Sequence, residues 1–185
     1  MTAWLRRAGR GELPDRSVVV WSVAEGRRGR RWREVRSRGA SVVSSLLLET
    51  DPGGRFAHLE ASTASGLITL HPEPDATLHG NVVTDRGVEP VEAWPWPDGS
   101  IVLLDGSPLC LAAAVLRLRE SVVAAATASV PGVLIALSLD LNPEAIQVHR
   151  VGDGDWSFRD GLPMRFDDDG LPTLLDAQGW PLEEG

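Results

Sequence analysis

The chain has 185 residues, 43% of them hydrophobic and 24% charged, with a formal net charge of −8. This length and composition fit one globular domain over residues 1–185 and exclude a disordered chain. The single cysteine, Cys110, excludes a disulfide framework and indicates a reducing compartment. The N-terminus has arginines where a signal peptide needs an apolar run, and charges interrupt the longest apolar stretch. We therefore expect a cytoplasmic protein without a membrane span.

Charge is distributed unevenly along the chain. Residues 1–40 hold 11 arginines and four acidic residues, a net charge of +7, which leaves −15 for the remainder. The arginine-rich segment 27–38 would suit phosphate contacts, but it equally fits the solvated end of a hairpin. The acidic remainder would repel a polyanion, so we expect no nucleic-acid partner.

Short runs rich in valine, leucine and isoleucine predict β-strands along most of the chain. In chain order they are 17–25, 32–38, 41–50, 55–62, 66–71, 77–84, 88–94, 100–105, 132–140, 145–151, 155–160, 162–167 and 171–176. Asp-Gly turns and connections of a few residues separate them, which predicts antiparallel strands in meander order.

One segment has a helical pattern. Ser107 is placed as an N-cap, Pro108 suits the first helical position, and apolar residues then recur at helical spacing. This predicts a largely buried helix over about 107–129. The expected fold class is mainly β: a curved antiparallel meander sheet, or half-barrel, packed around that one central helix.

The segment "LITLHPEPDATLHGNVV", residues 67–83, contains two histidines, His71 and His79. A two-residue loop would mix polar and apolar side chains on each face of the hairpin. A three-residue loop, 74–76, places His71 opposite His79 and Thr69 opposite Asn81, and leaves the other face apolar. A hairpin that is buried on one face requires its polar and apolar side chains to lie on opposite faces, so we predict the three-residue loop with His71 opposite His79.

These histidines could be metal ligands, an acid/base pair or a polar strip. Zinc needs three or four ligands, and only His71, His79 and Glu73 are nearby in the sequence. No nucleophile stands at motif spacing, and Cys110 fits a buried apolar position better than a reactive one. We therefore predict a polar strip, no metal or other cofactor, and no enzymatic activity.

The segment "AWPWPDG", residues 93–99, places Trp94 and Trp96 on one face of a strand that is interrupted by prolines. Indole rings on a sheet are most often part of the core. Neighbouring prolines indicate an edge or rim, where tryptophan suits apolar or sugar-bearing ligands. Both interpretations stay open at this point.

The stretches "VVVWSVAE", "VVSSLLLETDPGGRFAHLEAS" and "GLITLHPEPDATLHGNVV" are similar to a family of bacterial glycolipid-binding proteins. The similarity lies in an aspartate-bearing turn after one strand and an arginine that opens the next. It implies a half-barrel like that of lipoprotein carriers, in which a curved antiparallel sheet encloses an apolar cavity and a helix. It implies no individual binding residues.

The leading hypothesis is a non-enzymatic binder of an amphipathic or lipid-like small molecule, held in a cavity between sheet and helix. Its expected contacts are Leu111 and Val115 on the helix, and Trp94, Trp96, His71, His79 and Asn81 at the rim. The alternative is an interaction or structural module, such as a homodimer, without a small-molecule site.

Overall fold

The computed structural model describes residues 4–159, 161, 163–175, 178–179 and 183–184. Three predicted strands, 155–160, 162–167 and 171–176, extend onto Asp160, Leu162 and Asp176, which lie outside the described residues. The fold is mainly β, as predicted, because strands make up 59% of the chain and the described residues contain one short helix.

The first sheet has ten strands, and every neighbouring pair in it is antiparallel. Strands β1 to β8 follow one another in order; the C-terminal β17 adds to the edge at β1, and β9 pairs with β7. The strands are β1 (Arg6–Glu12), β2 (Val18–Gly26), β3 (Gly29–Arg38), β4 (Ser41–Thr50), β5 (Phe56–Thr63), β6 (Gly66–Pro72), β7 (Thr77–Thr84), β8 (Gly87–Pro90), β9 (Trp94–Pro95) and β17 (Glu183–Glu184).

The second sheet has seven strands in consecutive order and curls into a half-barrel. The strands are β10 (Ile101–Leu104), β11 (Ala126–Ile135), β12 (Leu141–Arg150), β13 (Asp155–Phe158), β14 (Met164–Phe166), β15 (Pro172–Leu175) and β16 (Gln178–Gly179). The predicted single meander is thus divided into two sheets. One pair, β10 with β11, is parallel, since a helix joins these two strands as a crossover.

That helix, α1 (Pro108–Leu118), begins as predicted, with Ser107 as N-cap and Pro108 in the first turn. The prediction that it continues to 129 is wrong. The N–H groups of Ser121 and Val122 both bond to the carbonyl of Leu118, which ends the helix in a turn. The following residues form β11 and pair with β12 at ten positions. The helix propensity of alanine is a weak preference, and sheet pairing outweighs it here.

One hydrophobic cluster joins both sheets and the helix. Alternate residues of the first sheet point into it, among them Trp32, Leu48 and Leu70, and α1 adds Cys110 and Val115. The intervening residues of the first sheet lie on its other side, which we call the outer face. Any residue of this sheet therefore belongs either to the core or to the outer face.

A buried carboxyl group connects the first sheet to the helix. Glu34 lies on β3 between Trp21 of β2 and Leu46 of β4, and only 2% of it is exposed. Its Oε2 atom accepts hydrogen bonds from Ser107 Oγ (2.9 Å) and from the N–H of Leu109 (3.2 Å). The Glu34 side chain of the sheet thereby accepts a hydrogen bond at the N-terminus of α1, where backbone N–H groups lack partners within the helix.

Burial among apolar side chains raises the pKa of Glu34 from its ordinary value near 4.5 to about 7. The hydrogen bonds from Ser107 and Leu109 and the charge of Arg36 act in the opposite direction, but the loss of hydration outweighs them. The same burial, with the charge of Glu34 as a second cause, raises the pKa of the Cys110 thiol to about 12.

Arg36 connects the β1–β2 turn to the start of the helix. It donates hydrogen bonds to Ser17 Oγ (2.9 Å), to Asp15 Oδ2 (2.7 Å) and to the carbonyl of Asp105 (3.4 Å). Burial alone would raise the pKa of Asp15, but the bonds from Ser17 and Arg36 hold it well below its usual range. Gly106 adopts φ +71, a conformation that side chains rarely adopt, and a Cβ atom there would lie 2.1 Å from Arg36 Nη1, so this position favours glycine.

Three further arginines bind the acidic turn that begins at Asp167. Arg7 Nη1 contacts Asp167 Oδ2 at 2.6 Å and Asp169 Oδ2 at 3.0 Å. Arg30 donates to the carbonyl of Asp169 (2.6 Å), and Arg119, the C-cap of α1, donates to two other carbonyls of the turn. These contacts join β1 and β3 of the first sheet, the end of the helix and the turn between β14 and β15.

The raised pKa of Glu34 predicts a specific pH dependence of stability. Because the folded state binds the proton more tightly than the unfolded chain, this group's contribution is complete below about pH 4.5 and is lost as the pH rises through 7. Glu34→Gln keeps an uncharged hydrogen-bond acceptor and removes this titration. We expect the free energy of unfolding of the variant, relative to the parent, to increase by about 3 kcal/mol between pH 4.5 and pH 8.

Urea unfolding at a series of pH values measures this difference. The control is Glu60→Gln, which removes an exposed carboxylate from the outer face of β5 and should leave the pH profile unchanged. Parallel profiles for Glu34→Gln and the parent would show that folding does not shift the pKa of this carboxyl group and would contradict the prediction.

Candidate ligand-binding groove

The structure distributes the seven predicted site residues over several separate places. His71, His79 and Asn81 lie on the outer face of the first sheet, because they alternate with Leu70, Leu78 and other core residues. Val115 is fully buried on the opposite side, against the core. These residues therefore do not form one site.

Leu111 and the two tryptophans complete this distribution. Leu111, in the first turns of α1, is half-buried in a surface depression with Phe158 and Met164 of the second sheet. Trp94 is paired with Leu78 and is half-buried against the core. Trp96 also packs against the core and lines an open groove of ligand size.

The predicted pairing of the histidine hairpin is confirmed. His71 lies opposite His79, Thr69 lies opposite Asn81, and the chain turns through the three residues 74–76. Ala76 adopts φ +60, the left-handed conformation that closes hairpin loops of this length. His71 Nε2 contacts Glu73 Oε1 at 3.0 Å, and His79 Nε2 contacts Thr77 Oγ1 at 2.9 Å.

A third histidine extends this strip. Leu59 of β5 pairs with Leu70 of β6, so His58 falls beside His71 at the next position on the outer face. Sequence reasoning missed His58, because the pairing of β5 with β6 has to be known before it joins the strip. Within the described residues, no three His, Cys, Asp or Glu side chains are grouped as a metal site.

The space between the helix and the first sheet is almost filled. The internal crevice there has a volume of about 20 Å³, which corresponds to about one water molecule. Its walls are Ala113 and Ala114 of α1, Ile101 and Val102 of β10, and residues of the first sheet that include Leu48. The alanines of the helix therefore permit close packing and do not leave a chain-sized cavity, which differs from the expected internal site.

A larger open space lies where the crevice reaches the surface. We call it the Trp96 groove; it has a volume of about 410 Å³ and contains Phe56, Trp96, Arg55, Arg117, Asp98 and Glu73 among its lining residues. The rings of Trp96 and Phe56 meet edge to face, with centroids 5.4 Å apart and an angle of 63° between their planes. Phe56 and Arg117 line both the groove and the internal crevice, so the two spaces share a wall.

The prolines of "AWPWPDG" position the aromatic wall. Strand β9 is only two residues long, consistent with Pro95 having no N–H to extend the ladder. The N–H of Trp96 donates to the carbonyl of Ala76 (2.7 Å), which holds the indole beside the histidine hairpin. Gly99, at φ +91, then turns the chain into β10.

Charged groups occupy the side of the groove next to the helix. Asp98 Oδ1 lies 2.9 Å from Arg117 Nη2 and 3.3 Å from Arg55 Nε. Glu73, which follows β6, adds a second exposed carboxylate to the lining. Sequence reasoning considered Glu73 only as a possible zinc ligand and missed the other three residues, because the four come from separate segments that only the folded chain brings together.

The groove combines an aromatic wall with a cluster of ionic groups, which is the lining that an amphipathic ligand requires. The buried pair Glu34 and Cys110 does not line it. Comparison with protein-family models, with curated proteins and with solved structures finds no match to this chain. No helix in the described part of the chain is long and apolar enough to cross a membrane.

The histidine strip leads to a prediction about metal. We expect no stoichiometric zinc in the purified protein, because His71 and His79 bond to neighbouring side chains and, among the residues that the structure describes, no third ligand completes a metal site with them. Elemental analysis after dialysis against zinc checks this. One equivalent of zinc that is retained by His149→Ala, an exposed histidine on β12, but lost in His79→Ala would contradict it.

Proposed function

We propose that this protein is a non-enzymatic binder of an amphipathic small molecule and that the ligand occupies the Trp96 groove. The observation that carries the proposal is a groove of about 410 Å³ with an aromatic wall on one side and ionic groups on another. This volume lies within the usual range of small-molecule sites, roughly 300–1,000 Å³.

The proposed ligand lies against Trp96 and Phe56 with its apolar part, while its polar part contacts Arg55, Arg117 or Asp98. Each buried methylene contributes about 0.8 kcal/mol, and micromolar affinity corresponds to about 8 kcal/mol. An apolar part of roughly a dozen carbons is therefore sufficient, once ordering costs are offset by the polar contacts. A cytoplasmic location is part of this proposal, in keeping with a single cysteine.

Nucleic acid is not among the proposed partners. Arginines of the N-terminal 40 residues make ion pairs within the chain: Arg7 with Asp167 and Asp169, Arg31 with Glu49, and Arg36 with Asp15. Their charges are therefore partly neutralised before any phosphate approaches.

The neutral fluorescent probe N-phenyl-1-naphthylamine tests the proposed function. We expect saturable binding to the parent and at least about tenfold weaker binding to Trp96→Ala, because the indole provides most of the apolar wall. The matched control is Trp4→Ala, which removes a half-exposed tryptophan from the N-terminus. Trp96→Phe keeps an aromatic wall and should retain most of the affinity.

Thermal unfolding of each variant separates lost binding from lost structure. The proposal fails if the folded parent shows no saturable binding, or if Trp96→Ala binds as tightly as Trp4→Ala. Its failure would give weight to a second candidate function.

That second candidate is self-association through the outer face of the first sheet. Val20 and Val35 are directly paired on β2 and β3 and are 54% and 43% exposed, and Val83 pairs with the exposed Val88. Clustered exposed apolar side chains are typical of interaction surfaces. This candidate predicts a dimeric mass in light scattering and a monomeric mass for the double variant Val20→Glu, Val35→Glu.

The control for self-association is Val123→Glu, which alters an exposed valine in the connection between α1 and β11. A parent that stays monomeric from micromolar to millimolar concentration removes the candidate. Equal dissociation by both sets of substitutions would indicate a general charge effect and would remove it as well.

A further inference from the structure

Two arginines in the Trp96 groove converge on one exposed carboxylate. Asp98 Oδ1 lies within 3.3 Å of Arg55 Nε and within 2.9 Å of Arg117 Nη2. The Asp98 side chain is nevertheless 65% exposed, whereas that of Arg117 is only 22% exposed. The two guanidinium groups thus form an anion site that is filled by Asp98, a carboxylate of the protein itself.

Arg117 stands on the helix, whereas Arg55 and Asp98 both lie in connections between strands. Arg117 lies in the last turn of α1, and Arg55 immediately precedes β5. The N–H of Arg55 is held by Asp51 Oδ1 at 2.8 Å. Asp98 precedes Gly99 in the short connection between β9 and β10. The backbone of Arg117 is therefore fixed by the helix and that of Arg55 by the Asp51 side chain, and Asp98 reaches both from an exposed turn.

Displacing Asp98 costs little. Asp98 and Arg55, whose side chains are 65% and 62% exposed, regain hydration when they separate, and such exposed ion pairs contribute little to stability. An external anion that bonds both guanidinium groups recovers the same interactions. An external anion can therefore replace the Asp98 carboxylate at this position.

The apolar wall adjoins this position. Arg117 and Phe56 both line the groove and the internal crevice, and the Phe56 ring contacts the Trp96 ring. An anion bonded to Arg117 thus has apolar surface beside it for an attached chain. The other charged group in the lining is Glu73, a carboxylate, which would repel an anion and leaves the arginine pair as the favourable position.

We infer that the ligand of the groove is an anionic amphiphile, with a carboxylate or phosphate headgroup bound by Arg55 and Arg117 in the place that Asp98 holds in the unliganded protein. This inference rests on the proposed function, since it specifies the chemistry of the ligand in the same groove. It adds a selectivity that the aromatic wall alone does not provide.

Isothermal titration calorimetry with three compounds of equal chain length tests it: dodecanoate, dodecyl phosphate and dodecanol. We expect both anions to bind the parent at least about tenfold more tightly than dodecanol, since hydrogen bonds to a charged group are stronger than those to a hydroxyl group. The ratio between the two anions identifies which headgroup is preferred. The preference for the anions over dodecanol should decrease with added salt.

The variants separate the roles of the three residues. Asp98→Asn removes the internal competitor and should tighten the binding of both anions by about three- to tenfold without affecting dodecanol. Arg117→Gln and Arg55→Gln should each reduce the preference for anions. The matched control is Arg86→Gln, an exposed arginine in the turn between β7 and β8, which should change nothing.

Each outcome decides a separate point. Equal binding of dodecanol and the anions overturns the inference but leaves the proposed function intact. A preference that survives in the double variant Arg55→Gln, Arg117→Gln places the anion elsewhere and also overturns it. Anion binding that depends on Asp98 and Arg117, but without probe binding at Trp96, supports the anion site and contradicts the apolar part of the proposed function. If no compound binds the folded parent, both fail.

Discussion

The placement of the helix depends on one interaction, the hydrogen bonds from its N-terminus to Glu34. An unpaired carboxylate between Trp21 and Leu46 would be very costly, and an uncapped helix N-terminus would leave buried N–H groups without partners. The carboxyl group and the helix N-terminus each lower the free-energy cost of burying the other. Ser107 contributes to this because its hydroxyl group donates to Glu34 and accepts a hydrogen bond from the N–H of Cys110. The raised pKa of Glu34 shows that compensation is incomplete and that the protonated form suits the site better.

Part of the basic N-terminal region is bound to the acidic remainder of the chain by intramolecular contacts. Arg7 and Arg30, from the basic N-terminal region, bind the acidic turn that begins at Asp167, where they are joined by Arg119 from the end of the helix. The helix is thus fixed at one end by a carboxyl group of the first sheet and at the other by a turn of the second sheet. These contacts join residues that are far apart in the sequence. A count of charges along the sequence therefore could not distinguish arginines that pair within the chain from arginines that form a binding surface.

Local patterns predicted most of the elements, and contacts between distant segments explain what was missed. The histidine hairpin was predicted to the residue, because the separation of apolar and polar faces permits only one pairing. The helix start at Ser107 was also correct, since capping is a local property. The helix end was wrong because Ala126–Ile135 is recruited by β10 and β12, which no local preference reveals. The groove was only partly predicted: an aromatic rim was one of two interpretations of "AWPWPDG", whereas Arg55 and Arg117 meet because the connection between β4 and β5 lies beside the end of α1.

The position of the Trp96 groove follows from the way the two layers meet. Alanines on α1 allow the helix to approach the first sheet closely, so the crevice between them has a volume of only about 20 Å³. A larger space opens where this contact ends, at the last turn of the helix and beside the short strand β9. Trp96, the two arginines and the carboxylates found there are half-buried or exposed, whereas Phe56 also belongs to the core. The exposed binding residues can therefore vary at this junction with little effect on the fold, whereas a site between helix and sheet would have required a cavity in the core and its cost in stability.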